Sequence, residues 1–255
     1  ASFKESIVVY DLDSPVDRTG TNSIKWEFMN SMDPEARTGT LPFWVADMDF
    51  PCAQPVIEAL HARVDRRIFG YSSNQTDEYH AAVCGWFRRR YGWKIPEGDV
   101  VFSPGVVPAI NYLVAILTEL GDGVLIQTPV YYPFARAIRN NGRRVVENPL
   151  VNRDGRYEMD LEDLERKARA SGARLLILCS PHNPVGRVWT RDELQSLGDV
   201  CERNGIVIVS DEIHCDLTRK GVAHKPLETV LPGYRDRIVT ATAPSKTFNL
   251  AGMQL

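Results

Sequence analysis

Short apolar segments alternate with longer amphipathic segments along most of the chain. Short, almost wholly apolar runs are typical of strands that are buried on both faces. The longer segments repeat their apolar positions every three or four residues, which is typical of a helix with one buried face. The pattern predicts strands at 100–102, 124–126, 144–147, 175–179, 206–209 and 238–241, and helices at 55–68, 77–91, 106–120, 134–141, 160–171 and 190–204.

Two of the predicted helices carry additional signals. Thr190 and Glu193 have the spacing of a capping box, which marks the start of the helix at 190–204. In the helix at 106–120, the residues spaced for a single buried stripe are Ile110, Leu113, Val114 and Leu117.

Strands that alternate with helices predict an α/β fold of three layers (αβα), with a mainly parallel sheet covered on both faces. In such folds, ligands bind beyond the carboxyl ends of the strands. We therefore expect the functional residues to lie immediately after the predicted strands.

Composition narrows the class of protein. With 255 residues, 44% of them hydrophobic, and a net charge of −3, the chain is predicted to be globular and to bind no nucleic acid. The basic run at 88–90 falls in a predicted helix and is interpreted as a solvated face. No apolar stretch approaches the roughly 18 residues of a membrane span. Residues 1–11 do not resemble a secretory signal.

The cysteines indicate the compartment. Five cysteines are scattered along the chain without a C-x-x-C pair, which favours reduced thiols, a cytoplasmic location and no metal site.

The turn before the helix at 106–120 is a candidate anion site. Gly105 lets backbone amides approach an anion, and Pro108 suits the first helical turn because its missing N–H is not needed there. The helix N-terminus then offers free amides to a phosphate. Because many strand–helix turns look similar, an ordinary turn remains the alternative.

Two further strand ends carry a candidate aromatic and a candidate amide. Tyr131 is flanked by prolines and could stack on a flat heteroaromatic ring, although a packed core tyrosine is an equal alternative. The proline-rich run at 180–186 would fix the amide of Asn183 at a strand tip, unless it is a plain turn.

The last two strand ends carry an acid and an amine. Asp211 follows an apolar strand, so its carboxylate is predicted to be desolvated and to need a cationic or hydrogen-bonding partner. A protonated pyridine nitrogen would serve. Lys246 follows the last predicted strand, where its amine can form an imine with an aldehyde.

Together these segments resemble the class I/II aminotransferase superfamily, the fold-type-I pyridoxal-phosphate enzymes. The resemblance covers essentially the whole chain and implies their large-domain fold. Within the superfamily the chain looks most like the cystathionine β-lyase-type C–S lyases, through the segments at 16–21, 41–50, 69–72, 211–214 and 245–252. The resemblance also implies cis peptide bonds at Thr128-Pro129 and Asn183-Pro184.

The resemblance assigns roles around the cofactor ring. Lys246 would hold pyridoxal 5′-phosphate covalently and move protons, and Asp211 would pair with the pyridinium nitrogen. Asn183 and His214 would reach the ring hydroxyl, although a packed histidine remains an alternative for His214. Tyr131 would stack on the ring.

The resemblance also assigns a phosphate site. The backbone amides of Gly105, Val106 and Val107 and the hydroxyl of Ser245 would bind the phosphate. Tyr71 would reach the phosphate of a neighbouring subunit, which makes the expected active unit a homodimer. At 46–47, Ala46 and Asp47 would either border the substrate or form a structural turn.

The chain departs from the family pattern in three places. Ala243 and Gln254 stand where many members have a serine and an arginine that bind the phosphate. No residue matches the arginine that clamps the substrate carboxylate, which the family carries beyond Leu255. Either the chain is a fragment of a longer protein, or it does not bind amino acids in the usual way, and we favour the fragment. Residues 1–45 would then contribute to the small domain and dimer interface, and residues 46–255 would form a cofactor-binding large domain that is incomplete at its C-terminus.

The resemblance predicts β-elimination from cysteine S-conjugates, with pyruvate, ammonia and a thiol as products. An aminotransferase of amino acids is the first alternative, because it passes through the same carbanion. The second is a non-catalytic pyridoxal-phosphate-binding regulator or an inactive fragment.

Overall fold

The computed structural model describes residues 10–37 and 39–253, apart from the side chain of Glu97. Gln254 and most of the segment at 1–11 lie outside the described residues. The chain divides into two compact units. One contains the described residues up to Tyr71 together with Phe248–Met253, and the other contains Ser72–Thr247. The division of roles at residue 45 remains a prediction.

The larger unit is built on a parallel sheet. In the described part of the chain this sheet has five strands in the order β2-β1-β5-β6-β7, and every neighbouring pair is parallel. A separate antiparallel hairpin pairs β3 with β4. The strands are β1 Gly123–Ile126, β2 Arg144–Glu147, β3 Val151–Arg153, β4 Arg156–Glu158, β5 Leu175–Cys179, β6 Val207–Asp211 and β7 Ile238–Ala241.

The helices alternate with these strands, as the hydrophobic pattern predicts. The α-helices of the described residues are α1 Ile24–Glu27, α2 Gln54–Val64, α3 Asp77–Tyr91, α4 Val106–Leu117, α5 Pro133–Asn140, α6 Leu161–Ser171, α7 Arg191–Arg203, α8 Leu227–Val230 and α9 Pro244–Thr247. Short 3₁₀ turns lie at Met29–Ser31, Glu97–Asp99, Pro232–Arg237 and Ala251–Met253.

Strand β5 shows why the larger unit has three layers. Every residue of β5 is buried, and successive side chains point to opposite faces of the sheet. Leu176 and Leu178 pack in a core with residues of α6, α7 and α8, whereas Leu175 and Ile177 pack in a second core with residues of α4 and α5. The three-layer fold predicted from the sequence is confirmed.

The predicted stripe of α4 is confirmed only in part. Ile110 and Val114 are buried and Leu113 is partly buried, whereas Leu117 at the end of the helix is 36% exposed. At the start of α7, the Thr190 hydroxyl accepts the amide of Glu193 at 3.2 Å, and the Glu193 carboxylate accepts the amide of Thr190 at 2.8 Å. This is the predicted capping box.

The predicted strand at 100–102 is wrong. A strand is stabilised by hydrogen bonds to a neighbour, and among the described residues this segment pairs with no other strand. Val101 is 86% exposed and Phe102 is 45% exposed, so its apolar residues are not buried either.

The hairpin of β3 and β4 was missed. Its turn is Asp154-Gly155, and both residues have positive φ, at 49° and 87°. An Asp-Gly pair is the usual signal for such a hairpin turn, so the sequence did contain the information.

Candidate active site

The carboxyl ends of β5, β6 and β7 are aligned at one edge of the sheet. Asp211 is the last residue of β6, and it lies in register with Cys179 of β5 and Ala241 of β7. The loops that carry Asn183 and Lys246 therefore leave the sheet at the same level as Asp211. The strand extends to Asp211, rather than ending at 209 as predicted from the sequence.

Asp211 is a buried carboxylate with little hydrogen bonding. It is 4% exposed, and the amide of Ile213 donates to its Oδ1 at 3.1 Å. Burial raises the pKa of Asp211 from 3.8 to about 7, against the opposing effects of the Ile213 amide and the charge of Lys246. This carboxylate is therefore suited to a cationic hydrogen-bond donor.

Lys246 lies close to Asp211 and His214. Its side chain is partly buried in α9, and its charge lowers the pKa of both residues. Burial is the larger cause of the lowered pKa of His214. The structure thus brings the predicted amine, acid and imidazole together.

Tyr131 belongs to the same cluster. Burial raises the pKa of its hydroxyl, and the nearby charges of Tyr132, Asp211 and Cys179 raise it further. Its ring contacts the edge of Phe134, with 5.9 Å between the ring centroids. The adjacent Thr128-Pro129 bond is cis, as predicted.

The loop with Asn183 is joined to the loop after β1. The backbone amide of Asn183 donates to Cys179 Sγ at 3.3 Å. The Nε2 atom of the buried His182 lies 2.9 Å from the carbonyl oxygen of Pro129. The Asn183-Pro184 bond is cis, as predicted, and the Ser180-Pro181 bond is also cis, which was not foreseen. His182 was missed because its partner lies 53 residues away.

The turn before α4, where the sequence predicts a phosphate site, has a backbone conformation that favours glycine. Gly105 has φ 106° and ψ 163°, in a region that is essentially restricted to glycine. Val106 and Val107 open the helix, and amides of a first turn have no partner within the helix. Ser245 is buried in α9.

Asp216, five residues after Asp211, was missed by the sequence reasoning. Its carboxylate accepts hydrogen bonds from Trp86, Arg90 and Tyr91 of α3 and from Thr247, the neighbour of Lys246. These partners are distant in sequence, so no local pattern marks them.

The smaller unit contains the other conspicuous motifs. Asp47 forms an ion pair with Arg18 at 2.7 Å, and Asp49 forms ion pairs with Arg18 at 3.1 Å and Lys25 at 2.5 Å. These bonds favour the structural interpretation of Ala46-Asp47. Tyr71 is fully exposed, and its role towards a second subunit remains a prediction.

The described residues contain no group of three or more potential metal ligands. None of their helices is long and apolar enough to cross a bilayer.

The fold and the strand-end cluster define an α/β protein with a lysine near a buried acid at the carboxyl edge of its parallel sheet. Residues 40–255 match the family described as aminotransferase class I and II. The chain belongs to this family, as the resemblance in its sequence indicated.

The curated relatives of the chain include a cystathionine beta-lyase. The chain is 45% identical over 244 residues to cystathionine beta-lyase PatB of Bacillus subtilis, covering 96% of this chain and 62% of that protein. It is 36% identical over 245 residues to protein MalY of Escherichia coli, again covering 96% of this chain and 62% of that protein. The chain thus spans about 62% of the length of these curated relatives.

Solved structures give the same picture. Cystalysin from Treponema denticola, which contains a pyridoxal 5′-phosphate cofactor, superposes with a TM-score of 0.91 at 40% identity. The match covers 97% of this chain and 62% of that one. The pyridoxal-phosphate-bound C–S lyase of Staphylococcus hominis has a TM-score of 0.91 at 37% identity, with the same coverage.

Proposed function

We propose that the chain forms the pyridoxal-phosphate-binding part of a C–S lyase that acts on cysteine S-conjugates. The products would be pyruvate, ammonia and a thiol. The observation that carries the proposal is the cluster of Lys246, Asp211 and His214 at the carboxyl edge of the sheet, in which the charge of Lys246 affects both other residues.

The residues present fit the cofactor. Asp211 is buried beside one backbone donor, and a pyridinium N–H would supply the cation that this carboxylate needs. Gly105 and the first amides of α4 form a cradle for a phosphate. When bound, pyridoxal phosphate supplies an electron sink that acidifies the α-proton of an amino acid.

Each side chain of the cluster has a distinct task in this proposal. Lys246 holds the cofactor covalently, and its amine takes the α-proton once the substrate is bound. Asp211, charged in the presence of its cationic partner, keeps the ring nitrogen protonated. Asn183 and His214 bind the ring hydroxyl, and Tyr131 stacks on the ring.

The phosphate would be held by backbone and side-chain groups together. The amides of Gly105, Val106 and Val107 and the hydroxyl of Ser245 would bind it, and Tyr71 of a second subunit would complete the site. A homodimer is supported by the exposed apolar side chains of α4, where Tyr112 and Ile116 are 59% and 73% exposed. A cytoplasmic location is part of the same proposal, and the cysteines of the described residues form no disulfide bond, as expected for thiols in a reducing compartment.

An aminotransferase is the second candidate function. A pyridoxal-phosphate-bound structure from Clostridium difficile 630, described as a putative aminotransferase, has 42% identity and a TM-score of 0.89 to this chain. Transamination would use the same Lys246 base but return the proton to the cofactor. The choice of lyase rests on the similarity to the cystathionine beta-lyase of Bacillus subtilis and to the C–S lyase of Staphylococcus hominis.

Product analysis of the intact protein tests the proposal. Incubation with cystathionine should release pyruvate, ammonia and a thiol in equal amounts. A keto acid without a thiol would indicate transamination and reject the lyase. The intact protein should show the visible absorbance band of bound pyridoxal phosphate, and Lys246→Ala should abolish that band. Lys220→Ala, which changes an exposed lysine, should retain it.

A further inference from the structure

Asp216 connects helix α3 to the segment that carries Lys246. Its carboxylate accepts hydrogen bonds from Trp86 Nε1 at 3.0 Å, Arg90 Nε at 2.9 Å and the Tyr91 hydroxyl at 2.5 Å. A fourth bond comes from the Thr247 hydroxyl at 2.9 Å. The Asp216 side chain is 5% exposed, so these bonds lie largely out of solvent.

This carboxylate is charged at neutral pH. Burial alone would raise the pKa of Asp216, but the donors Tyr91, Thr247, Arg90 and Trp86 outweigh that effect and lower it. Hydrogen bonds to a charged acceptor are roughly twice as strong as neutral ones. The hydrogen bond from the Thr247 hydroxyl to Asp216 therefore holds the C-terminal end of helix α9 in place.

The position of this attachment is significant because Thr247 directly follows Lys246. Asp216 lies five residues after Asp211, on the same loop beyond β6. Asp211 thus ends β6, and the short loop that begins there carries the carboxylate that binds the neighbour of Lys246. The loop can therefore set the position of the lysine amine relative to Asp211.

We propose that Asp216 is a positioning residue that, through the hydroxyl of Thr247, orients the Lys246 amine towards the cofactor aldehyde. The inference rests on the proposed function and extends it to residues outside the cofactor contacts. In the covalent bond concerned, the lysine nitrogen replaces the aldehyde oxygen, which leaves as water. A misplaced amine would weaken this bond but leave the noncovalent contacts of the cofactor unchanged.

In the intact apoprotein, two ligands distinguish the covalent bond to Lys246 from the noncovalent contacts of the cofactor. Pyridoxal 5′-phosphate can bond to Lys246, whereas pyridoxine 5′-phosphate has an alcohol in place of the aldehyde and cannot. Thr247→Val removes the hydroxyl at nearly constant volume. It should weaken binding of pyridoxal phosphate about tenfold, equivalent to about 1.4 kcal/mol. Binding of pyridoxine phosphate should stay within about twofold of wild type.

Two further variants act as controls. Thr247→Ser restores a hydroxyl and should recover most of the affinity for pyridoxal phosphate. Thr218→Val removes a threonine hydroxyl that donates to the carbonyl of Val222 in the same region, and it should change neither affinity. Thermal unfolding of each apoprotein shows whether the variants fold; Thr247→Ala replaces Thr247→Val if the latter does not.

The outcomes are distinct. If Thr247→Val weakened the binding of both ligands equally, the hydroxyl would support the general shape of the site. That result would overturn the inference. An unchanged affinity for both ligands would overturn it too. A wild-type protein that binds neither ligand would reject the proposed function itself, and this inference with it.

Discussion

The carboxylate of Glu212 and the imidazole of His224 form a fully buried pair. Their side chains are 0% and 1% exposed, and His224 Nε2 lies 2.7 Å from Glu212 Oε2. The other carboxylate oxygen accepts hydrogen bonds from the Ser210 hydroxyl at 3.0 Å and the Leu227 amide at 2.9 Å. Because Glu212 directly follows Asp211, this network fixes the backbone that presents the candidate cofactor-binding acid.

Removing the imidazole should destabilise the protein strongly. His224→Leu would leave one oxygen of a buried carboxylate without its donor, and breaking such a pair costs about 3–5 kcal/mol. Urea unfolding of the intact apoprotein measures this loss. His61→Leu changes an exposed histidine of α2 and should stay within about 0.5 kcal/mol of wild type. A similar small effect for His224→Leu would contradict the importance of the pair.

Asp211 should give the apoprotein a characteristic pH dependence. Burial raises its pKa from 3.8 to about 7. Above pH 3.8 the unfolded chain releases this proton while the folded chain retains it, so the contribution to stability is full below pH 3.8 and is lost as the pH rises through about 7. The Asp211→Asn variant has no carboxyl group to ionise at this position, so it does not lose this stability as the pH rises.

We therefore expect Asp211→Asn to gain on the order of 3 kcal/mol relative to wild-type apoprotein between about pH 4 and pH 8. Urea unfolding across this range measures the difference. Asp236→Asn, which changes an exposed carboxylate, provides the control. A difference between Asp211→Asn and wild type that does not change with pH would contradict the raised pKa.

Gly105 should matter for phosphate binding through its backbone conformation. Its φ of 106° strains any residue with a side chain, by about 1–3 kcal/mol. An added Cβ would meet Pro108 Cδ at 3.7 Å, an ordinary contact, so the backbone conformation rather than space excludes other residues. Gly105→Ala should shift the turn and the amides after it.

Comparison of two ligands shows whether the phosphate is affected. Gly105→Ala should weaken pyridoxal phosphate binding about tenfold, whereas binding of pyridoxal, which lacks the phosphate, should change little. Gly233→Ala serves as the control, since a Cβ there meets nothing within 4 Å. Equal effects on both ligands would argue against a phosphate site at this turn.

The elements predicted correctly are those whose signals are local. Strand β5 was placed at its observed bounds because five consecutive apolar residues require burial on both faces of a sheet. Helix α3 was also placed at its observed bounds, and its start is capped by the Thr76 hydroxyl. The expected place of the candidate site has the same kind of basis, because parallel strands bring their carboxyl ends to one edge; the roles of its residues stay predictions.

The features that the sequence predicted wrongly or did not reveal depend on partners that are distant in sequence. The segment at 100–102 has an apolar pattern, but whether it becomes a strand depends on a neighbour that the pattern does not reveal. No local pattern distinguishes Asp216 from an ordinary loop acid, because its donors on α3 lie 125 to 130 residues earlier. A buried polar hub of this kind can be recognised only from coordinates.

Asn249, three residues after Lys246, should stabilise the smaller unit through both its side chain and its backbone. Its Oδ1 accepts the amide of Met48 at 3.0 Å, and its Nδ2 donates to the carbonyls of Met48 and Phe50, each at 3.1 Å. Its φ of 57° is left-handed, a conformation that asparagine tolerates better than alanine. The two contributions can be separated by substitution.

Asn249→Ala loses the hydrogen bonds and adds backbone strain, whereas Asn249→Gly loses the bonds alone. At about 1 kcal/mol for each hydrogen bond and 1–2 kcal/mol for the left-handed backbone, we expect losses of about 4 kcal/mol for alanine and about 3 kcal/mol for glycine. Urea unfolding measures both. A glycine variant less stable than the alanine variant would show that the left-handed backbone of residue 249 is not what limits substitution there.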